Sequence, residues 1–250
     1  MAKTIPSIMV KMAARSEKGC LNTNCKTLFA TTLLQHLVQI DTDITLAING
    51  LHCPFWDEFM TLFSNRWVWI PFYASLVALI ASNFSWRITL TVLILSGVVV
   101  AIADQVTVYH LRPLMERMRP SNPDNPVSAM VHVVNNHRGG PFGFPSAHAA
   151  NAWAIAFFLI FVFRQRRLTW LLLPWTAMMC YSRMYLGVHY LGDLLAGLVV
   201  GLAAATLCYL PFQRLSHLKR PATYRLSWVP AAVMLLTIVI FLVVAAVKSI

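Results

Sequence analysis

The chain has 250 residues, of which 58% are hydrophobic and only 12% are charged, and its mean hydropathy is +0.64. This composition is too apolar for an ordinary soluble domain and predicts a polytopic membrane protein. The net charge of +11 comes from Lys and Arg between apolar segments. Basic residues at such places orient a protein in the bilayer, so the charge does not indicate nucleic-acid binding.

The chain begins with a basic tail, residues 1–27, which has no apolar stretch like that of a cleavable signal peptide. We predict a single integral membrane domain over residues 28–250. Its first segment, Leu28 to Leu51, is interrupted by Gln35 and His36. This pattern favours an amphipathic helix in the membrane interface. If the segment crossed instead, the tail would be cytoplasmic.

The rest of the chain contains apolar runs of the length that crosses a bilayer, about twenty residues. They predict an all-helical membrane bundle of about six transmembrane helices plus the N-terminal interfacial helix. The six runs lie near Trp67 to Ala81, Ile88 to Val108, Ala147 to Phe163, Leu168 to Tyr185, Tyr190 to Leu210 and Trp228 to Val247.

Two connections between these spans are rich in arginine and lysine, at residues 164–167 and 214–225. By crossing parity they lie on the same side, which the positive-inside rule predicts to be cytoplasmic. The connection from Leu111 to Pro145 and the turn from Arg183 to Asp193 then lie together on the outer face.

The turn at Arg183 contains ionisable residues at the edge of an apolar run, where they are costly to keep and mark a functional site. His189 and Asp193 are spaced i to i+4 and would share one face of a helix. The carboxylate would hold the ring through one nitrogen and leave the other free as a nucleophile. The alternative is a His-Asp pair that only stabilises the membrane helix.

Two upstream clusters suit an anion. Arg112 and Arg119, together with Arg183, offer guanidinium groups that bind tetrahedral oxyanions, unless each simply extends toward lipid headgroups. Ser146 is a natural N-cap, with Ala147 and His148 in the first helical turn. The free N–H groups and dipole of that turn favour an anion.

Between Pro120 and Pro145 the sequence predicts an irregular loop with two adjacent glycines. We interpret it as a surface connection rather than a cap that brings His137 or Arg138 to a headgroup.

The three clusters resemble the motifs of the type 2 phosphatidic acid phosphatase superfamily, K-x6-R-P, P-S-G-H and S-R-x5-H-x3-D, which that family shares with glucose-6-phosphatases and vanadium haloperoxidases. The third motif is complete. The first has Arg112 in place of Lys, and the second has Ala147 in place of Gly. These changes keep the positive charge and the backbone N–H but put rate and specificity in question.

The resemblance implies a membrane helical bundle whose motif core, residues 112–193, forms a phosphate site. His189 would attack phosphorus to form a phosphohistidine, Asp193 would orient its ring, and His148 would serve as acid and then base. The remaining motif residues would hold the phosphoryl oxygens: Arg112, Arg119, Ser146, the Ala147 backbone and Arg183. The family implies neither a metal nor another cofactor.

We therefore expect a bacterial inner-membrane lipid phosphatase with its site facing the periplasm or exterior. The expected substrates are undecaprenyl pyrophosphate, phosphatidylglycerol phosphate or a lipid A phosphate. A phosphatase of soluble phosphomonoesters and a lipid phosphotransferase are alternatives within the enzyme class. A membrane protein that binds anions without turnover is the alternative outside it.

Overall fold

The computed structural model describes residues 31–216 and 218–249, and the chain divides into two units, Met1–Asp43 and Ile44–Ile250. The predicted basic tail and its boundary with the membrane domain lie outside the described residues. In the first unit, residues 31–43 are helical. The site residues predicted from the motifs all belong to the second unit.

The described residues are predominantly α-helical, which confirms the predicted fold class. The helices are α1 (31–49), α2 (Pro54–Ser64), α3 (Ile70–Asn83), α4 (Trp86–Gln105), α5 (Arg112–Met115), α6 (Ala147–Phe163), α7 (Arg166–Tyr185), α8 (Leu191–Ser216) and α9 (Val229–Lys248). A π-helical segment, Val106–Leu111, joins α4 to α5. Short 3-10 segments cover Arg66–Trp69, Pro126–Met130 and Val134–Asn136.

Three of these helical stretches are long and apolar enough to cross a membrane, namely Trp86–Met115, Leu191–Ser216 and Val229–Lys248, and the shorter Ala147–Phe163 is also apolar. Six crossings therefore remain a prediction. The first predicted span, Trp67 to Ala81, consists of a 3-10 turn followed by α3. Pro71 lies in the first turn of α3. Proline at that position is compatible with a helix start because its missing N–H would have no helical partner.

The closest packing in the bundle is between α6 and α8. A Cβ built on Gly201 would lie 2.7 Å from the Ala150 carbonyl oxygen and 2.8 Å from the Ala154 nitrogen. Gly197 has a similarly close approach to the Ser146 carbonyl oxygen, at 2.8 Å. Small residues let two helix backbones approach, as is usual between membrane helices. This contact fixes the start of α8 against the start of α6.

The two ends of the bundle are chemically different. At one end, Arg220 donates to the Val162 carbonyl at the end of α6, and Asn83 bonds the backbone of Arg225 at 2.7 Å and 2.9 Å. A cavity of about 520 Å³ at this end is lined by Arg164, Arg166, Arg167 and Arg220. The two basic connections therefore lie at the same end of the bundle, as crossing parity predicted. The three motif segments lie at the other end.

Candidate active site

The His189–Asp193 pair lies at the start of α8. His189 Nδ1 is 3.2 Å from Asp193 Oδ2, and the Tyr190 backbone N–H donates to the same oxygen at 3.1 Å. His189 is 1% exposed and Asp193 is fully buried, so water does not compete for this contact. The predicted pairing is present, but its predicted helical geometry is wrong: His189 precedes α8, and only Asp193 is in its first turn.

The other ring nitrogen of His189 points to an arginine. Nε2 lies 2.8 Å from Arg119 Nη1, which also donates to the Val188 carbonyl oxygen at 2.9 Å. A guanidinium has donors only, so Nε2 must be the acceptor and Nδ1 carries the proton toward Asp193. The Nε2 lone pair therefore lies beside the positive charge of Arg119. A phosphoryl group bound at this place would contact both the lone pair and the guanidinium.

The arginines predicted to hold an anion have unused donors. Arg112, Arg119 and Arg183 donate through their terminal nitrogens to the Pro145 carbonyl, to the Val188 carbonyl and to Ser64 Oγ. The Nε atom of each is buried and has no hydrogen-bond partner among the described residues. Because unpaired buried donors are costly, this arrangement suits a multivalent oxyanion.

Burial also shifts the pKa of two side chains that lie outside the long helices, His189 and Arg119. It lowers the pKa of His189 well below the ordinary value, and the charges of Arg119, Arg183 and Arg112 lower it further. The ring is therefore neutral near pH 7. Burial, with the charge of Arg112, lowers the pKa of Arg119 to about 10, while Asp193 opposes the shift. Arg119 remains a cation beside a neutral imidazole.

Ser146 is the N-cap of α6, as predicted: its hydroxyl accepts from the Ala149 N–H at 3.4 Å. Its own N–H donates to the Asp193 carbonyl at 3.0 Å. The second and third motifs are therefore joined through backbone, with partly exposed Ala147 between the cap and His148.

His148 lies in the first turn of α6 and faces a cavity of about 400 Å³. Arg183 shares that wall, and His148 is within electrostatic reach of His189. His137 of the long loop also lines this cavity, whereas Arg138 donates back to the Ser121 carbonyl at 2.7 Å. The loop is thus more than a surface connection, and His137, not Arg138, reaches the site.

Two residues near the pair were not predicted. Arg117 Nη1 donates to Asp193 Oδ1 at 3.0 Å, and its guanidinium lies 4.0 Å from the centre of the Tyr190 ring. Gly143 packs on the pair so closely that a Cβ there would lie 3.0 Å from Asp193 Oδ2 and 3.5 Å from His189 Nδ1. Both carboxylate oxygens of Asp193 are therefore hydrogen-bonded, and the Gly143 backbone packs too closely against them for a larger residue to fit without a shift.

A polar network anchors the long loop. Asn49 bonds the His132 backbone in both directions, at 2.8 Å and 2.9 Å, and donates to the Tyr185 carbonyl at 2.7 Å. Asp57 accepts from the Tyr185 hydroxyl and contacts His132 Nε2, each at 2.8 Å. The network ties the loop to α2 and α7 beside the site.

Across residues 31–216 and 218–249, acidic, histidine and cysteine side chains form no group of three or more that would hold a metal ion.

Comparison with solved structures gives the same fold. The crystal structure of Aquifex aeolicus LpxE matches with a TM-score of 0.52 at 20% identity, over 66% of this chain and 92% of that one. The transmembrane PAP2-type phosphatidylglycerolphosphate phosphatase of Bacillus subtilis matches with a TM-score of 0.51 at 23% identity, over 74% and 90% of the two chains.

Sequence relatives are closer. A lipid A 4'-phosphatase of Bacteroides thetaiotaomicron is 45% identical over 169 residues, which are 68% of this chain and 75% of that protein. A lipid A 4'-phosphatase of Porphyromonas gingivalis is 31% identical over 179 residues, 70% of this chain and 74% of that protein. The undecaprenyl-diphosphatase BcrC of Bacillus subtilis is 35% identical over 95 residues, 38% and 46% of the two chains. The family model of the PAP2 superfamily matches residues 85–217, which include all three motifs, and the chain is therefore an integral membrane protein that belongs to the PAP2 superfamily.

Proposed function

We propose that this protein is a metal-independent lipid phosphatase that removes a terminal phosphate from a lipid phosphate at the outer face of a bacterial inner membrane. The observation that carries the proposal is the neutral His189 ring, with Nδ1 toward Asp193 and Nε2 against Arg119, one of three arginines that have unused buried donors. This arrangement suits a nucleophilic nitrogen in a phosphoryl site.

The first step forms a bond between His189 Nε2 and phosphorus and breaks the bond to the leaving oxygen, which takes a proton from His148. Nδ1 keeps its proton, and the Asp193 carboxylate stabilises the positive ring. The arginine donors replace water around the phosphoryl oxygens and stabilise the transition state without reorganising.

In the second step, His148 takes a proton from water as the water oxygen attacks the phosphohistidine. The N–P bond breaks, phosphate leaves, and both histidines return to their starting state. The same residue is thus acid and then base.

Among the lipid phosphates expected from the sequence, the similarity to the two lipid A 4'-phosphatases favours lipid A. The scissile phosphate would enter at headgroup depth while the acyl chains stay in the membrane. Undecaprenyl pyrophosphate and phosphatidylglycerol phosphate are the competing lipids. A soluble phosphomonoester is the competitor outside lipids.

The test is phosphate release by purified protein from these three lipids and from a soluble ester, with His189→Ala in parallel and exposed His36→Ala as the matched control. We expect release from lipid A, lost in His189→Ala and kept in the control. Preferred hydrolysis of another lipid would change the substrate. Equal background in wild type and His189→Ala would contradict hydrolysis altogether.

The same assay tests the chemistry. EDTA should leave the rate unchanged, and vanadate should inhibit by mimicking the pentacoordinate phosphoryl group. Loss of activity in EDTA that a divalent ion restores would rule out the metal-independent mechanism.

A further inference from the structure

The cavity beside His148 has a second positively charged wall besides the one that Arg183 forms. This wall consists of Arg66 and Trp67, in the 3-10 segment that follows α2. Asn65 caps this turn by accepting from the Trp67 N–H at 3.0 Å. The Arg66 guanidinium lies 5.2 Å from the centre of the Trp67 ring. Arg66 and His148 both line the cavity, whose volume is about 400 Å³.

Among the described residues, Arg66 has no acidic partner. It is exposed at the mouth of the cavity, so its charge is available to a ligand. A further group of the wall, Thr61 Oγ1, is buried and lacks a hydrogen-bond partner among the described residues. The wall therefore suits a polar, negatively charged ligand.

The position of the cavity identifies the part of the substrate that would occupy it. In the proposed reaction His148 protonates the leaving oxygen, so the group attached to that oxygen must extend into the space that His148 faces. His189, which would carry the phosphoryl group, is not among the residues that line this cavity. The cavity is thus on the leaving-group side of the site.

We propose that this cavity binds the leaving group of the substrate and that Arg66 binds a second anionic group carried by that leaving group. The inference rests on the proposed function and narrows it to lipid phosphates with two anionic groups. The second anion is either a separate phosphate on a sugar headgroup or the phosphate that remains after a diphosphate is cleaved. Arg66 is a specificity residue in this scheme and takes no part in bond breaking.

The test compares substrates that differ only in the second anion. One pair is lipid A with two phosphates and the same lipid with the 4'-phosphate alone. The other pair is a prenyl diphosphate and the corresponding prenyl monophosphate. Arg66→Gln is assayed on all four. Arg87→Gln is the matched control, because Arg87 also lies over a tryptophan ring, Trp86, at 5.5 Å, but belongs to the first turn of α4 at the other end of the bundle.

We expect Arg66→Gln to lower kcat/KM about tenfold for the doubly anionic member of one pair, mainly through KM, because a hydrogen bond to a charged group is lost. The singly phosphorylated partner should change less than about twofold, since it never used the contact, and Arg66→Lys should recover part of the loss. The pair that responds identifies the source of the second anion.

An equal loss on both members of each pair, or no loss on any substrate, would overturn the role of Arg66 while leaving the phosphatase intact. A wild-type protein that releases phosphate from none of the four lipids would overturn the proposed function and this inference with it. Since Arg66 is exposed, an unchanged elution profile and circular dichroism spectrum of the variant are expected and show that folding is not the cause.

Discussion

Arg117, which the sequence did not predict, affects the geometry of the proposed nucleophile through its contact with Asp193. It holds Asp193 Oδ1 at 3.0 Å while Oδ2 faces His189 Nδ1 at 3.2 Å. Without this contact the buried carboxylate can rotate, and the His189 ring loses its fixed direction. Arg117 is therefore a positioning residue that acts through Asp193.

We predict that Arg117→Gln lowers kcat by about a hundredfold, because a small misplacement of a reacting group has an effect of that order. KM should change little, since Arg117 does not face the substrate phosphate in the proposed complex. Steady-state kinetics on the preferred lipid measure both constants.

Arg117→Lys should recover part of kcat, since it restores a donor. Exposed Arg214→Gln, at the end of α8, serves as the control. A rise in KM with normal kcat would instead assign Arg117 to substrate binding.

At this scale the sequence predicts local contacts well and distant ones poorly. The pairing of His189 with Asp193 was predicted from a spacing of four residues, although His189 lies outside the helix that this spacing assumed, and the Ser146 cap follows from its place before an apolar helix. Arg117 is 76 residues from Asp193 in the chain. Its contact depends on how α8 packs against the loop after α5, which no local pattern contains.

At the scale of elements, the apolar runs predicted α4, α6, α7 and α9 close to their observed bounds, and they predicted the start of α8 but ended it at Leu210 rather than Ser216. They did not predict α2, which has only 11 residues and carries Asp57 in its first turn. A hydropathy criterion for spans passes over such a helix. Yet α2 supplies Ser64 to Arg183 and leads into the Arg66 turn, so the missed element forms one wall of the site.

The α6–α8 contact gives a prediction about stability. Gly201→Ala should lower the melting temperature of the detergent-solubilised protein, because the added Cβ would overlap the backbone of α6, with the Ala150 oxygen 2.7 Å away. Rigid backbone cannot move as a side-chain end can, so the helices must separate, which costs on the order of 1–3 kcal/mol.

Gly97→Ala in α4 is the matched control, because a Cβ there meets no atom within 4 Å. Alanine is a better helix former than glycine by about 1 kcal/mol, so this variant should melt at the same temperature or higher. Thermal unfolding followed by circular dichroism distinguishes the two. Equal melting temperatures for both variants would show that α6 and α8 do not depend on the close approach.

For the whole molecule, the helix directions explain how distant motifs form one site. From Ala147 to Phe163, α6 covers about 25 Å. The chain returns through α7 to Arg183, so the two motifs meet at one end while the arginine-rich cavity forms at the other. The sequence predicted this separation from crossing parity, because charge between apolar runs is a global pattern that needs no contact information.

The separation predicts opposite labelling of the two ends in intact cells. In a variant lacking all five native cysteines, Ala129→Cys, exposed in the long loop beside the site, should react with a membrane-impermeant maleimide added outside the inner membrane. Ala222→Cys, exposed in the basic connection after α8, should react only after permeabilisation. The physical reason is that translocating the arginine cluster is unfavourable, so we expect the cluster to stay in the cytoplasm and the site to face outward. The reverse pattern would place the phosphate site inside and require a substrate delivered from the cytoplasm.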